Sequence, residues 1–222
     1  MSKNSYEHAD RPSPLINTGE WFTVIAAAVR ALMSGRVVAY PSETVWGLAV
    51  HPDSAAGVNR LLQLKGRDPL KPLQVSCADV EGALLLAQAG PELTALSALW
   101  PGPLTVVAPA SEHCPPDYAP GGRVGLRVPD HPVALALLRA AGGLLVTTSC
   151  NVSGQAPATT YAGALAMNLA DVVLPDGGVL SAGLASTVVM VPGGHILREG
   201  SIDGDRIGRL LSAFLQESGG AT

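Results

Sequence analysis

The 222 residues predict one α/β domain in which strands and helices alternate. Three observations carry that expectation. Short apolar runs bounded by Gly and Pro alternate with segments of helical apolar spacing. The 25 Gly and 18 Pro are scattered along the chain rather than gathered in one tract, so many turns separate many elements. A hydrophobic content of 47% at this length buries a sizeable core but leaves little room for two full domains.

Residues 1–20 read as a polar lead-in, 21–216 as the single domain and 217–222 as a C-terminal tail. Val24, Ala27, Ala28, Ala31 and Leu32 share one face of a helix from Thr23 to Met33, which Gly35 stops. The apolar strand Val37 to Tyr40 then runs into the polar loop Pro41-Ser42-Glu43-Thr44. A helix from Ser54 to Leu64 leads to the basic loop Lys65-Gly66-Arg67-Asp68-Pro69 and a strand over Leu73 to Val75. Helical spacing returns over Val80 to Gln88 and Pro91 to Leu99. The two prolines of Trp100-Pro101-Gly102-Pro103 forbid helix continuation, so this is a stiff turn delivering the strand Leu104 to Ala108. The Pro-rich stretch 109–122 reads as a surface loop. A strand from Val124 to Val128 and a helix from Pro132 to Ala141 follow, and the strand Leu144 to Thr147 opens into a second polar loop, 148–154. A helix from Thr160 to Leu169, strands near Val172 and over Thr187 to Val191, a turn at Pro192-Gly193-Gly194, a strand to Arg198 and a helix from Asp203 to Gln216 complete the chain.

Charge and cysteine content exclude several classes. With 14 Lys+Arg against 18 Asp+Glu, no global positive field advertises a nonspecific nucleic-acid binder. Cys77, Cys114 and Cys150 are odd in number and lack zinc-ligand spacing, which favours a reducing, cytoplasmic location. No signal-peptide core and no uninterrupted apolar run of membrane-spanning length is present, so no stable membrane association is expected. Walker and GxGxxG phosphate loops are absent.

The informative positions are polar groups just after apolar strands, where the loops of an α/β sheet converge. Lys65 and Arg67 flank a Gly in a turn and suit a polyphosphate; a solvated basic turn fits the same pattern. Ser149 and Asn151, with Thr147, Thr148, Ser153 and Gly154, suit phosphate or ribose; a helix-capping turn uses the same residues. Arg127 lies in an otherwise apolar strand and needs an anionic partner, either a substrate carboxylate or an internal Asp or Glu. Arg198 poses the same question beside Glu199. His51 and His131 read as structural, since neither has a nucleophile or carboxylate at a recognisable spacing.

Seven ordered segments together resemble the YrdC family of threonylcarbamoyl-AMP synthases in its short form: Ala39 to Leu48, Gln63 to Pro69 with Lys71-Pro72-Leu73, Trp100 to Thr105, Val124 to Pro132, Thr148 to Gly154, Ser186 to Val189 and Leu197 to Gly200. The family's KxR and SxN signature falls on Lys65, Arg67, Ser149 and Asn151, which the resemblance makes the catalytic set. It further implies that Lys65, Arg67, Thr105, Thr147, Ser149, Asn151 and Arg198 hold ATP, and that Thr44, Arg127 and Ser186 hold threonine, with Arg127 on its carboxylate. The implied fold is a twisted mixed parallel and antiparallel sheet flanked by helices, with a large concave cavity. The implied reaction joins L-threonine, bicarbonate or CO2 and ATP to give threonylcarbamoyl-AMP and pyrophosphate, with Mg2+ held mainly by the ATP phosphates, and passes the product to proteins that modify tRNA.

The chain departs from the family pattern at Ser42, Trp46, Cys150 and Ala185, the last standing where many members carry Glu. Two other functions use the same type of module: a carbamoyl-adenylate-forming maturation factor, whose zinc modules this chain lacks, and an RNA-binding module, which leaves direct tRNA contact open.

Overall fold

The computed structural model describes residues 18–65 and 74–219. Its elements are α1 (Thr18–Met33), β1 (Val38–Tyr40), β2 (Gly47–Val50), α2 (Ala55–Lys65), β3 (Gln74–Cys77), α3 (Val80–Leu85), α4 (Pro91–Ser97), β4 (Leu104–Pro109), β5 (Arg123–Arg127), α5 (Pro132–Ala140), β6 (Leu144–Ser149), α6 (Tyr161–Met167), β7 (Val172–Val173), β8 (Thr187–Met190), β9 (His195–Arg198) and α7 (Gly204–Gly219). Among the described residues the strands form one sheet in the order β7, β1, β2, β6, β3, β5, β4, β8, β9. It is mixed: β1 with β7, β3 with β5 and β4 with β8 pair in parallel, and the remaining neighbours are antiparallel.

Strand alternation assigns the two faces. On one face, Val75, Leu104, Val106, Leu126 and Val189 pack with Leu96, Trp100 and Ile207 from α4, the turn after it and α7. The same face continues through Val37, Ala39, Leu48 and Val146, covered by Leu61 of α2 and Ala164 of α6. The opposite face is covered only at one end, where α1 and α5 bury Val38, Tyr40, Ala49 and Leu145 under Leu32, Leu137 and Leu138. Past that helix pair the face turns polar, with Gln74, Thr105, Arg127 and Thr147 at its surface.

Three details differ from the sequence reading. The first helix begins at Thr18, so 18–20 belong to it rather than to the lead-in, and the last runs to Gly219, into the segment read as a tail. A strand over Gly47–Val50 returns antiparallel to β1, making the 41–46 loop the tip of a hairpin. It was hidden because Gly47 weakens strand propensity; yet Gly is required there, since a Cβ would lie 2.6 Å from Tyr40 Cε1, and its lack lets the Tyr40 ring rest on the strand. The 109–122 stretch is not wholly a surface loop. It folds into short 3₁₀ turns that bury Cys114, Tyr118 and Ala119 against the first core face.

Among the described residues, no helix is long and apolar enough to cross a membrane. Leu126 is fully buried in β5, an interior strand of the sheet. Leu126→Ala is expected to lower unfolding free energy by about 2–5 kcal/mol, measured by urea denaturation, from lost transfer energy plus an unfilled cavity.

Candidate functional site

The polar cleft begins where α1 and α5 stop covering the sheet and has a volume of about 390 Å³. In β4, Leu104 and Val106 point into the core, so Thr105 between them points into the cleft; Val146 and Thr147 of β6 divide in the same way. Thr105, Arg127, Thr147, Ser149, Asn151, Ser186 and Arg198, all singled out from sequence, line this one cleft. A larger groove of about 960 Å³ between α1 and α5 is lined mainly by apolar side chains such as Trp21, Phe22 and Val29. Arg30 and Arg139 are its charged members, and the convergent hydroxyl and amide groups that fix a polar ligand are found instead in the smaller cleft.

At one side, Lys65 ends α2 and reaches across to the loop after β6. Its Nζ donates to Ser149 O at 3.1 Å, Ser149 Oγ at 3.4 Å, Asn151 O at 2.8 Å and Asn151 Oδ1 at 2.5 Å. Ser149 Oγ donates to Asn151 Oδ1 at 2.6 Å, while Asn151 Nδ2 donates to Val152 O and Gln155 O. One cation thus gathers the SxN loop from 84 residues away in the chain. Arg67 and Lys71 lie outside the described residues. Cys150 turns the other way into the core, where burial raises its thiol pKa to about 11 against a smaller lowering effect of Lys65. It is a packing residue rather than a nucleophile.

At the other side, Arg127 ends β5 at 7% exposure. Its Nη2 donates to Glu43 Oε1 at 2.8 Å and to Thr44 Oγ1 at 2.7 Å, and Thr44 is itself fully buried. The sequence left open whether Arg127 meets an internal acid or a substrate carboxylate. An internal acid is present, but the pair is incompletely satisfied: Arg127 Nε and Glu43 Oε2 are both buried without a hydrogen-bond partner. Arg127 also lines the cleft, where a guanidinium suits a carboxylate. Arg198 of β9 donates to Ser186 O at 2.9 Å and Ser186 Oγ at 3.1 Å. Burial and then the Arg127 charge lower its pKa, so the two guanidinium groups give this wall a positive potential.

The loop carrying Glu43 and Thr44 is clamped from outside. Ser181 Oγ donates to Ser42 O, Ala182 N to Glu43 O and Gly183 N to Thr44 O, at 2.7, 2.9 and 2.8 Å. His131 anchors this strap: its Nδ1 accepts from Val133 N, capping α5, which leaves Nε2–H to donate to Val179 O at 3.2 Å. The structural reading of His131 therefore has a definite form. Trp46, also buried, packs with Tyr161 at a ring-centroid distance of 6.0 Å and walls the cleft.

Glu43, Gln74 and Ser76 were not singled out from sequence. Glu43 was visible as a charge in the first polar loop, and period-two spacing in Gln74-Val75-Ser76 placed both polar side chains on one face; the apolar reading of that strand obscured them.

An open sheet face bearing a cleft of hydroxyls, amides, the buried Arg127 and the exposed Arg198 defines an α/β domain with a polar, cation-bearing cleft. The Sua5/YciO/YrdC family model, described as "Telomere recombination", matches residues 30–200, and the chain belongs to this family. It is 41% identical over 181 residues to threonylcarbamoyl-AMP synthase of Thiobacillus denitrificans, covering 75% of this chain and 90% of that one. Identity to the synthase of Alkalilimnicola ehrlichii is 43% over 160 residues, covering 68% and 83%. The fold superposes on P. abyssi Sua5 in complex with L-threonine with a TM-score of 0.73 at 29% identity; the match covers 84% of this chain and spans 56% of that one.

Burial lowers the pKa of His131 below the ordinary 6.5, outweighing the opposing pull of Val179 O and Glu43. The unfolded chain then binds this proton more readily than the folded one, so stability is lost as pH falls below about 6.5. Urea midpoints between pH 7.5 and pH 5.5 are expected to drop less in His131→Asn, which keeps a capping side chain, than in the unchanged protein.

Proposed function

We propose that this chain forms L-threonylcarbamoyladenylate from L-threonine, bicarbonate or CO2 and ATP, releasing pyrophosphate, as the activated intermediate for threonylcarbamoyladenosine modification of tRNA. It is a nucleotidyltransferase acting as one catalytic domain that includes α1 from Thr18 and α7 to Gly219. The observation that carries this reading is a single cleft lined on one side by Ser149 and Asn151, which Lys65 gathers, and on the other by the buried Arg127. Two ligands of different chemistry suit those two ends, and they meet over the polar floor between them. Family membership and relatives named threonylcarbamoyl-AMP synthase support the same reaction.

In this reading Arg127 takes the threonine carboxylate, with Thr44 and Ser186 beside it. The threonine amine, once deprotonated, adds to CO2 to give a carbamate. A carbamate oxygen then attacks the α-phosphorus of ATP, the bond to the β-phosphate bridging oxygen breaks, and pyrophosphate leaves. The protein's contribution is positioning and charge stabilisation. Lys65 and Arg67 balance the charge growing on the leaving phosphates. Ser149 and Asn151 fix the α-phosphate, and Thr105, Thr147 and Arg198 complete the nucleotide side. Among the described residues there is no cluster of three or more His, Cys, Asp or Glu that could hold a metal ion. The donors on the cleft wall suit phosphate rather than a metal, so Mg2+ would enter bound to the triphosphate and supply charge neutralisation there.

Pyrophosphate release is expected to require ATP, threonine and bicarbonate together; release independent of threonine would overturn the reading. Lys65→Ala is expected to lower kcat/KM by roughly 10²-fold, as for loss of one preorganised electrostatic donor. Arg127→Lys keeps a cation opposite Glu43 but loses the guanidinium fork, and is expected to raise the threonine KM by at least about tenfold while leaving ATP affinity nearly unchanged.

A further inference from the structure

A row of hydrogen bonds crosses the cleft floor from Arg198 of β9 through Ser186, just before β8, to Thr105 of β4, Gln74 of β3 and Thr147 of β6, then back to Ser76 of β3 and on to Tyr40 of β1. Arg198 Nη2 meets Ser186 Oγ at 3.1 Å, and Ser186 Oγ meets Thr105 Oγ1 at 3.0 Å. Thr105 Oγ1 meets Gln74 Oε1 at 3.3 Å, and Gln74 Nε2 meets Thr147 Oγ1 at 3.0 Å. Thr147 Oγ1 meets Ser76 Oγ at 2.8 Å, and Ser76 Oγ meets the Tyr40 hydroxyl at 3.5 Å.

The direction of donation along this row follows from its end and its middle. A guanidinium only donates, so Ser186 Oγ accepts from Arg198. Gln74 is the one carboxamide in the row and has an acceptor end and a donor end. Its Oε1 takes the proton of Thr105, which must then accept from Ser186. Its Nε2 donates to Thr147, and with the Thr147 proton on Ser76, one of the two directions open to that pair, the same donor direction runs on. Thr105 and Thr147 are each left with one acceptor site, and Gln74 Nε2 with one further N–H. All three residues line the cleft.

We propose that Gln74 is a positioning residue: its Oε1 takes the Thr105 proton and its Nε2 donates to Thr147, which leaves Thr105 and Thr147 as acceptors for hydroxyl or N–H donors of the bound nucleotide. Phosphate oxygens, which only accept, are not suited to this floor and belong at the Lys65 end. The inference rests on the assignment of ATP to this cleft, and it adds a residue that neither the KxR nor the SxN signature contains.

The test is equilibrium binding of ATP to the full-length protein and its variants. Gln74→Met keeps the side-chain length and removes both hydrogen bonds; it is expected to weaken ATP binding by about tenfold, the net worth of one to two such bonds. Because Gln74 acts through the two hydroxyls, adding Gln74→Met to the Thr105→Val/Thr147→Val double variant is expected to cause no further loss. An affinity within about twofold of the unchanged protein, or an effect that multiplies in the double variant as a general packing defect does, overturns the proposal. Threonine-dependent pyrophosphate release is measured in parallel on the unchanged protein. If that release is absent while the binding pattern holds, the reaction falls and the role of Gln74 stands; if the unchanged protein binds no ATP, both fall.

Discussion

The arrangement depends on placing the Arg127 guanidinium, almost fully buried, on a sheet face that, among the described residues, no helix covers at that point. An unpaired buried cation is costly, so its surroundings must supply oxygen. Glu43 and Thr44 do so from the tip of the β1–β2 hairpin. The demand propagates outward. The hairpin tip keeps its shape because the Ser181 hydroxyl and the backbone N–H groups of Ala182 and Gly183 donate to it, and that strap is anchored through Val179 by His131 at the start of α5. The helix that covers half of this face thereby also braces the uncovered half.

Incomplete pairing is the functional counterpart of that demand. Leaving Arg127 Nε and Glu43 Oε2 unbonded costs stability, a pattern concentrated where a ligand completes the set. The Lys65 end works differently. There the ammonium gathers carbonyl, hydroxyl and amide oxygens of a loop distant in sequence, so one side chain both orders the loop and brings a positive charge beside it.

Much of the fold was legible because it rests on local rules. The Leu104-Thr105-Val106 alternation, the Pro-interrupted turn before it and the helical stripe of α5 are read from spacing alone, and the structure follows them closely. The β2 strand was not legible, because its value lies in contact with Tyr40 and β6 rather than in its own propensity. The burial of Tyr118 was likewise hidden in a proline-rich stretch, since apolar residues in such a stretch find their partners only through distant strands.

For the site, sequence by itself determined the candidates: the ordered segments single out Lys65, Arg67, Ser149 and Asn151, and the apolar strand context singles out Arg127. Tertiary structure decided who meets whom. That Arg127 faces Glu43, that Lys65 closes on Asn151, and that Gln74 stands between Thr105 and Thr147 are consequences of strand order and register. The pairings join residues tens of positions apart, through a sheet order that runs against chain order, and no local pattern encodes them.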